Sequence, residues 1–361
     1  MTYKSPLLSR PGAVEDTGLD EGVAAHYGEP LREQRALAAG TAVVDLSHRG
    51  VVTVAGPDRL SWLNTLSSQQ LTNLQPGVSS ELLLLSVQGR IEFDARVIDD
   101  GGTTWLIVEA AEAAPLADWL NKMKFMLRVE IDDVSEQWAV VGATKPLEQF
   151  SSRLVWEDPW PHVSPGGYAY SIVPEESHPG LERPWYEFLV PAAELETAVE
   201  GLPLAGAMAA DALRVAAWRP RLGAETDEKT IPHELDLLRT SVHLNKGCYK
   251  GQETIARVHN LGHPPRRLVF LQLDGSQHTL PAVGSVVFAG ERKVGTLTSV
   301  AQHFEMGPVA LAVIKRSVSA EETLTVMDGE EPYIAAQEVI VAPDAGQVVG
   351  RQTGFLKGPH R

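Results

Sequence analysis

Two consecutive prolines, Pro264-Pro265, following Gly262 and His263, divide this 361-residue sequence into two patterns. A Pro-Pro pair removes two backbone donors and forces the preceding residue out of the helical region, so no regular element runs through it. Downstream, short alternating segments take over: Arg267 to Leu273, Ser285 to Ala289, Lys293 to Ser299, Val309 to Ile314 and Thr323 to Met327, punctuated by glycines 275, 284, 290, 295 and 307. Short strands at this spacing predict a small antiparallel β-barrel over residues 266–344. Residues 345–361 carry no acid and no periodicity, and read as a flexible basic tail.

Upstream, helical and strand patterns alternate. Pro30 at a first helical turn and Gly40 at a stop predict a short helix between them. Gly50 to Ala55 reads as a strand, and Gly56-Pro57-Asp58 opens a helix carrying Leu60, Leu63 and Leu66. Leu82 to Val87 and Ile91 to Ile98 flank Gln88-Gly89-Arg90, which predicts a hairpin. A strand over Thr104 to Glu109 precedes a helix whose Leu116, Trp119, Leu120 and Met123 share one face. A similar order recurs: strands at Trp138 to Gly142, near Tyr168 and at Tyr186 to Val190, then helices over Ala192 to Val199 and Met208 to Trp218. These elements predict an α+β region over 25–265 in two lobes, about 25–135 and 136–265. Residues 1–24, with four acids and no periodicity, read as a mobile arm.

Forty-seven acids against thirty-one bases give a net charge of -16. That balance opposes the counterion-release attraction on which nucleic-acid binders depend, so no direct nucleic-acid contact is expected. With no apolar run of membrane length and no secretory core at the start, a cytoplasmic protein is expected. The single cysteine, Cys248, forms no intramolecular disulfide and supplies no four-thiolate site. His259 and His263 stand four apart, but Gly262 and Pro264 interrupt a helix between them. Two histidines and one thiol match no zinc spacing, and no metal site is expected.

The segment Lys246-Gly247-Cys248-Tyr249-Lys250-Gly251-Gln252-Glu253 concentrates the unusual chemistry. Its glycines permit close backbone approach. Lysines on both sides of Cys248 favour a thiolate, which makes it either a reactive thiol or a small apolar residue packed in a loop. Glu253 and Glu234 are two-oxygen acceptors suited to an aminopyrimidine edge, or else a solvated charge and a capping partner.

That segment resembles the K-G-C-Y-x-G-Q-E signature of YgfZ-type folate-binding proteins. His26-Tyr27-Gly28, Val44 to His48, Leu213-Arg214-Val215 and Asp227 to Glu234 resemble, in the same order, segments of the glycine-cleavage T-protein, an aminomethyltransferase. Val294 to Ser299 and Ala310 to Ala312 resemble the barrel of that superfamily. The resemblance covers about His26 to Val341. It implies two ferredoxin-like α+β lobes and a barrel around a central cavity that holds tetrahydrofolate or a one-carbon derivative. It also implies that Asp94 lies beside the reacting group, with Cys248 and Lys246 completing the chemical site. Tyr27, Asp94, Arg214, Glu234, Tyr249, Gln252 and Glu253 are implied ligand contacts. Where the transferase branch carries a glutamate in L-R-L-E-A-G, this chain has Ala216, and a lost charge-assisted contact of about 1.5 to 3 kcal/mol predicts weaker folate binding. The resemblance therefore implies a maturation factor for iron–sulfur enzymes, some of them tRNA-modifying, with a folate-dependent aminomethyltransferase or demethylase, or a non-catalytic interaction module, as alternatives.

Overall fold

A computed structural model describes residues 3–349. Its architecture is α+β, with two five-stranded sheets and a closed six-stranded barrel. The first sheet runs in the order Ser79–Leu85, Ile91–Asp99, Thr103–Val108, Gly50–Ala55, Glu130–Asp133. Period-two alternation gives it two faces. Leu82, Leu84, Ala95, Val97, Leu106 and Val52 pack outward against helices Arg59–Leu66 and Ala113–Met123, from which Leu63, Leu116 and Leu120 are fully buried. The opposite face carries Glu81, Leu83, Asp94, Arg96 and Ile107 in register toward the molecular interior.

The second sheet has the order Val155–Glu157, Tyr186–Pro191, Trp138–Ala143, Val43–Asp45, Leu204–Ala205. One of its central strands, Val43–Asp45, precedes the whole first sheet in sequence. The division into lobes at 25–135 and 136–265 is corrected accordingly: the first lobe is inserted between two strands of the second. Val43 and Val44 are fully buried between helix layers on the two sides, so a three-residue strand suffices. The region near Tyr168 forms no strand; its peptides instead bond Leu238 and Asp236.

The barrel closes in the order Arg266–Leu273, Gly307–Lys315, Arg292–His303, Val286–Ala289, Leu324–Asp328, Glu331–Val339. The sixth strand carries Glu331, Pro332 and Glu338, which hid it in the sequence. Its Tyr333 and Ala335 alternate inward, and it pairs with Arg266–Leu273 to remove the last free edge.

Residues 3–24, expected as a mobile arm, are packed. Leu7 is fully buried with Val43 and Phe150, the Ser5 hydroxyl donates to Asp45, and Val14–Glu15 pairs with Ala24–His26. These contacts fall one at a time on a preformed surface, so they leave no periodicity. The start of the expected tail is also held: Val348 and Val349 donate to the carbonyls of His259 and Asn260, and His263 donates to Ala345. Residues 350–361, the rest of that tail, lie outside the described residues, as do Met1 and Thr2 of the arm.

Candidate functional site

The inner faces of the sheets and the segment after helix Ala207–Ala216 enclose a chamber of about 40 Å³ walled by charge. Arg49, Arg96, Arg183, Arg214, Arg219 and Arg221 meet Asp20, Asp158, Glu187 and Asp211. Arg221 bridges Asp20 at 2.8 Å and Glu109 at 2.7 Å, and Arg49 reaches Glu109 at 2.6 Å. Arg219 binds Asp158 at 3.3 Å and also Glu81, while Arg183 lies 3.4 Å from Asp158. Buried charges persist only when paired in this way. Paired arginines hold Glu109 down at about 2 despite its burial.

Glu187 departs from that saturation. It is 1% exposed, and Trp185 Nε1 donates to its Oε1 at 3.1 Å. Arg96 Nε approaches Oε2 at 3.3 Å but off the hydrogen-bond direction, leaving that oxygen without a hydrogen bond. A buried carboxylate oxygen without a donor is expensive, and it marks a place where a ligand N–H would be accepted.

Asp94 lies two residues before Arg96 on the same face of its strand. Burial pushes its carboxyl up, with Glu109 adding to the rise and Arg96 and Arg49 opposing it. Nearby Glu112 has its acid pushed up to about 8 by burial and by the charges of Asp94 and Glu109, with the Asp94 backbone N–H opposing that rise. Glu112 Oε2 is buried without a hydrogen bond.

The signature segment sits outside the chamber, on the hairpin that carries Asp94. Gly251, at φ +87°, caps helix Gln252–Leu261, and a Cβ on it would fall 2.6 Å from Ser86 O and 3.1 Å from Gly89 Cα. Only glycine permits that approach. Lys246 is buried, and its ammonium donates to the carbonyls of Asn64, Ser67 and Gln69 at 2.5, 2.6 and 2.7 Å. All three of its protons are thus committed to backbone. The expected role in poising Cys248 is corrected to a clamp that ties the loop to the first lobe. Burial pulls Lys246 down to about 8, and the three carbonyls oppose that pull by favouring the charged form. Tyr249 is buried, its ring centre 5.2 Å from the Lys246 nitrogen, and burial raises its phenol. Gln252 donates to Lys246 O at 3.3 Å, and Lys250 pairs with Glu92 at 2.9 Å. Cys248 is exposed, so the reading of it as a packed apolar residue is set aside.

The remaining expected ligand contacts are dispersed. Arg214 does reach the chamber, held by Glu225 at 2.9 Å and Asp211 at 2.8 Å. Glu234 is fully buried but committed to Arg266 at 2.8 Å, while Glu253 is exposed, so the two do not converge on one heterocycle. Tyr27 lies beside Asp45, Glu33 and Arg10, with a buried hydroxyl lacking a hydrogen bond. His259 lies 3.1 Å from the Tyr170 hydroxyl. Ala216 faces a different groove, shared with Trp218, Phe304 and Glu338. Sequence reasoning missed Glu187, Glu112, Asp20, Arg219 and Arg221. The one available signal was Arg219-Pro-Arg221 directly after Ala-Ala-Trp, two cations beside an apolar run in an acidic chain.

A second, larger cavity of about 600 Å³ adjoins the chamber and shares Asp20, Ala207, Asp211, Arg214 and Arg221 with it. The arm supplies Leu19, helix Pro30–Ala38 supplies Leu31 and Gln34, and barrel residues 298–302 close the far side. Its volume is in the range of small-ligand sites.

Two lobes and a barrel around a charged interior define a T-protein-like architecture. Within this chain, residues 24–146 match the GCVT N-terminal domain and residues 266–341 match the CAF17 C-terminal β-barrel domain. It is 28% identical to a chloroplastic protein of Arabidopsis thaliana that is provisionally named a transferase, over 88% of this chain and 77% of that protein. It is 26% identical to an aminomethyltransferase of Corynebacterium aurimucosum, over 82% of this chain and 84% of the relative. In fold it is similar to the glycine cleavage system aminomethyltransferase T of Bartonella henselae, with a TM-score of 0.72 at 18% identity, covering 94% of this chain and 97% of that one. Among the described residues no helix is long and apolar enough to cross a membrane.

Proposed function

We propose that this protein binds a reduced folate, tetrahydrofolate or a one-carbon derivative, and serves in the cytoplasm to assemble or repair iron–sulfur clusters in client enzymes, tRNA-modifying radical enzymes among them. The supporting observation is the contact of Gly251 with the Ser86 to Gly89 turn. It joins an exposed thiol, accessible to a protein partner, to the hairpin whose inner face carries Asp94 toward the chamber. One thiol supplies one ligand to iron, whereas a cluster is usually held by four. Cys248 would therefore act on a client's cluster or its precursor and not hold one by itself.

The residues fit a folate. Glu187, with its unbonded oxygen, would accept the N–H groups of an aminopyrimidine edge. Leu19, Leu31, Met208, Leu280 and Val283 would pack on a benzoyl ring, and Arg214 and Arg221 would favour its carboxylates. The bound folate would supply one-carbon chemistry; the protein's residues bind it, orient it and keep water away. Weak binding was expected from Ala216, but that residue does not line the chamber and Glu187 does. In this reading a carboxylate for the pterin edge would come from Glu187 in place of position 216.

A second reading, a folate-dependent aminomethyltransferase, gains support from the named relatives. Calorimetric titration with tetrahydrofolate, combined with client-enzyme activity in a deletion strain carrying Cys248→Ser, tests the first reading. Saturable heat and lost client activity are expected. Full client activity with Cys248→Ser would remove the thiol from the function, and turnover of an aminomethylated lipoyl carrier to methylenetetrahydrofolate would favour the second reading.

A further inference from the structure

We propose that the barrel carries a subsite for the poly-γ-glutamate tail of a reduced folate, formed by Lys293 and Lys315 in a cavity that continues outward from the one assigned to the benzoyl ring. The inference rests on the folate reading given above and adds the form of folate taken: one with several glutamates, held in preference to the monoglutamate.

The subsite is a cavity of about 570 Å³ between residues 224–227 and the barrel strands Arg292–His303 and Gly307–Lys315. It shares Ala224, Val283 and Thr298 with the cavity of about 600 Å³, so the two meet along one wall. Arg214 and Arg221 stand where the larger cavity adjoins the charged chamber, whereas Lys293 and Lys315 line the outer cavity. A first glutamate beside the arginines would therefore send its γ-linked chain past Ala224 toward the lysines. Val283, 65% exposed on the shared wall, gives the glutamyl methylenes an apolar contact on the way.

Charge points to the ligand. Glu225 is held by Arg214 at 2.9 Å, and Arg266 holds both Asp227 at 2.6 Å and the buried Glu234 at 2.8 Å. That last trio leaves one negative charge, set against two lysines that form no ion pair among the described residues. The Lys315 ammonium donates to the Lys293 carbonyl at 3.2 Å, which holds it over the neighbouring strand beside a second cation. Like charges on adjacent strands repel, so the pair is costly until an anion joins it. In a chain of net charge -16, such a pair at the mouth of a cavity is a local reversal of sign. The residue types also divide the work. A fixed arginine fork suits a first glutamate held in one place, and a flexible point charge suits carboxylates that recur along a tail of variable length. Both lysines are exposed, so their attraction is open to screening by salt.

Two measurements test this on the full-length protein. Calorimetric titration compares tetrahydrofolate monoglutamate with its pentaglutamate, which is expected to bind roughly fivefold tighter at low salt, the gap closing at high salt. In the double variant Lys293→Ala with Lys315→Ala the gap should vanish while monoglutamate affinity stays within about twofold of wild type. Lys122→Ala with Lys124→Ala, which removes the same charge from the first lobe, should keep the gap. The second measurement uses penta-γ-glutamate without a pterin as the probe and reads lysine acetylation by mass spectrometry: slower modification is expected at Lys293 and Lys315, and an unchanged rate at Lys122. Equal affinity for the two folates, or a gap that survives the double substitution, overturns the proposal and leaves the folate reading standing. Silent titrations with both folates sink the folate reading. Protection of the two lysines by penta-γ-glutamate would then leave them as a site for the tail chemistry alone, and no protection would remove the subsite as well.

Discussion

Gly251 and Gly89, 162 positions apart in sequence, meet backbone to backbone: a Cβ built on Gly251 would lie 3.1 Å from the Gly89 Cα and 2.6 Å from the Ser86 carbonyl oxygen. The contact seats the thiol loop on the hairpin that carries Asp94. It also gives the glycines of the signature different weights.

Gly251→Ala adds a left-handed strain at φ +87° to a backbone clash, and should destabilise the protein by about 2 to 3 kcal/mol in a denaturant titration. Gly247→Ala serves as the control, because nothing lies within 4 Å of its added Cβ, and it should stay within about 0.5 kcal/mol of wild type. Equal effects at the two positions would contradict the contact.

Lys246→Met should lower stability by about 3 kcal/mol or more, since it strands the carbonyls of Asn64, Ser67 and Gln69. If Lys246 instead activated Cys248, the variant would keep its stability and lose thiol-alkylation rate. Measuring both in one preparation separates the clamp from the activator.

Glu112 gives a stability signature of its own. Its folded pKa of about 8 exceeds the ordinary 4.5, so between those values the folded protein binds more protons than the unfolded chain. Stability should therefore fall as pH rises through this window and level off above about 8. Glu112→Gln should flatten that slope in urea midpoints taken from pH 5 to 9.

Asp20 is held well below the usual carboxylate range, with Arg221 and His48 outweighing its burial. Its stabilising contribution is present above the ordinary carboxylate pKa and is lost as pH drops into the strongly acidic range. Asp20→Asn should cost about 3 kcal/mol at neutral pH by leaving Arg221 undercompensated. Limited proteolysis should then cut within residues 3–24 faster than in wild type; an unchanged cutting rate would show that Asp20 does not anchor the arm.

The barrel, the hairpin with Gly89 and the helices beginning at Pro30 and near Asp58 were legible because each is a local pattern: alternation, a turn glycine, a first-turn proline. The sixth barrel strand was not, since Glu331, Pro332 and Glu338 mask an alternation that only closure of the barrel makes favourable. The arm was misread for a related reason, because Leu7 and Asp20 are fixed by distant partners and not by their neighbours in sequence.

The same distinction governs the site. Sequence by itself carried the resemblance to the T-protein superfamily, through an eight-residue motif and the ordered segments around it, and the presence of one thiol. Tertiary structure alone decided that Lys246 is spent on three carbonyls, that Cys248 faces outward, and that the chamber carries a carboxylate oxygen without a hydrogen bond on Glu187 while position 216 lines another groove. The physical reason is that a buried charge is defined by its partners, and the ion-pair partners of Glu187, Glu109 and Asp20 lie 91, 112 and 201 residues away, distances at which no local pattern speaks.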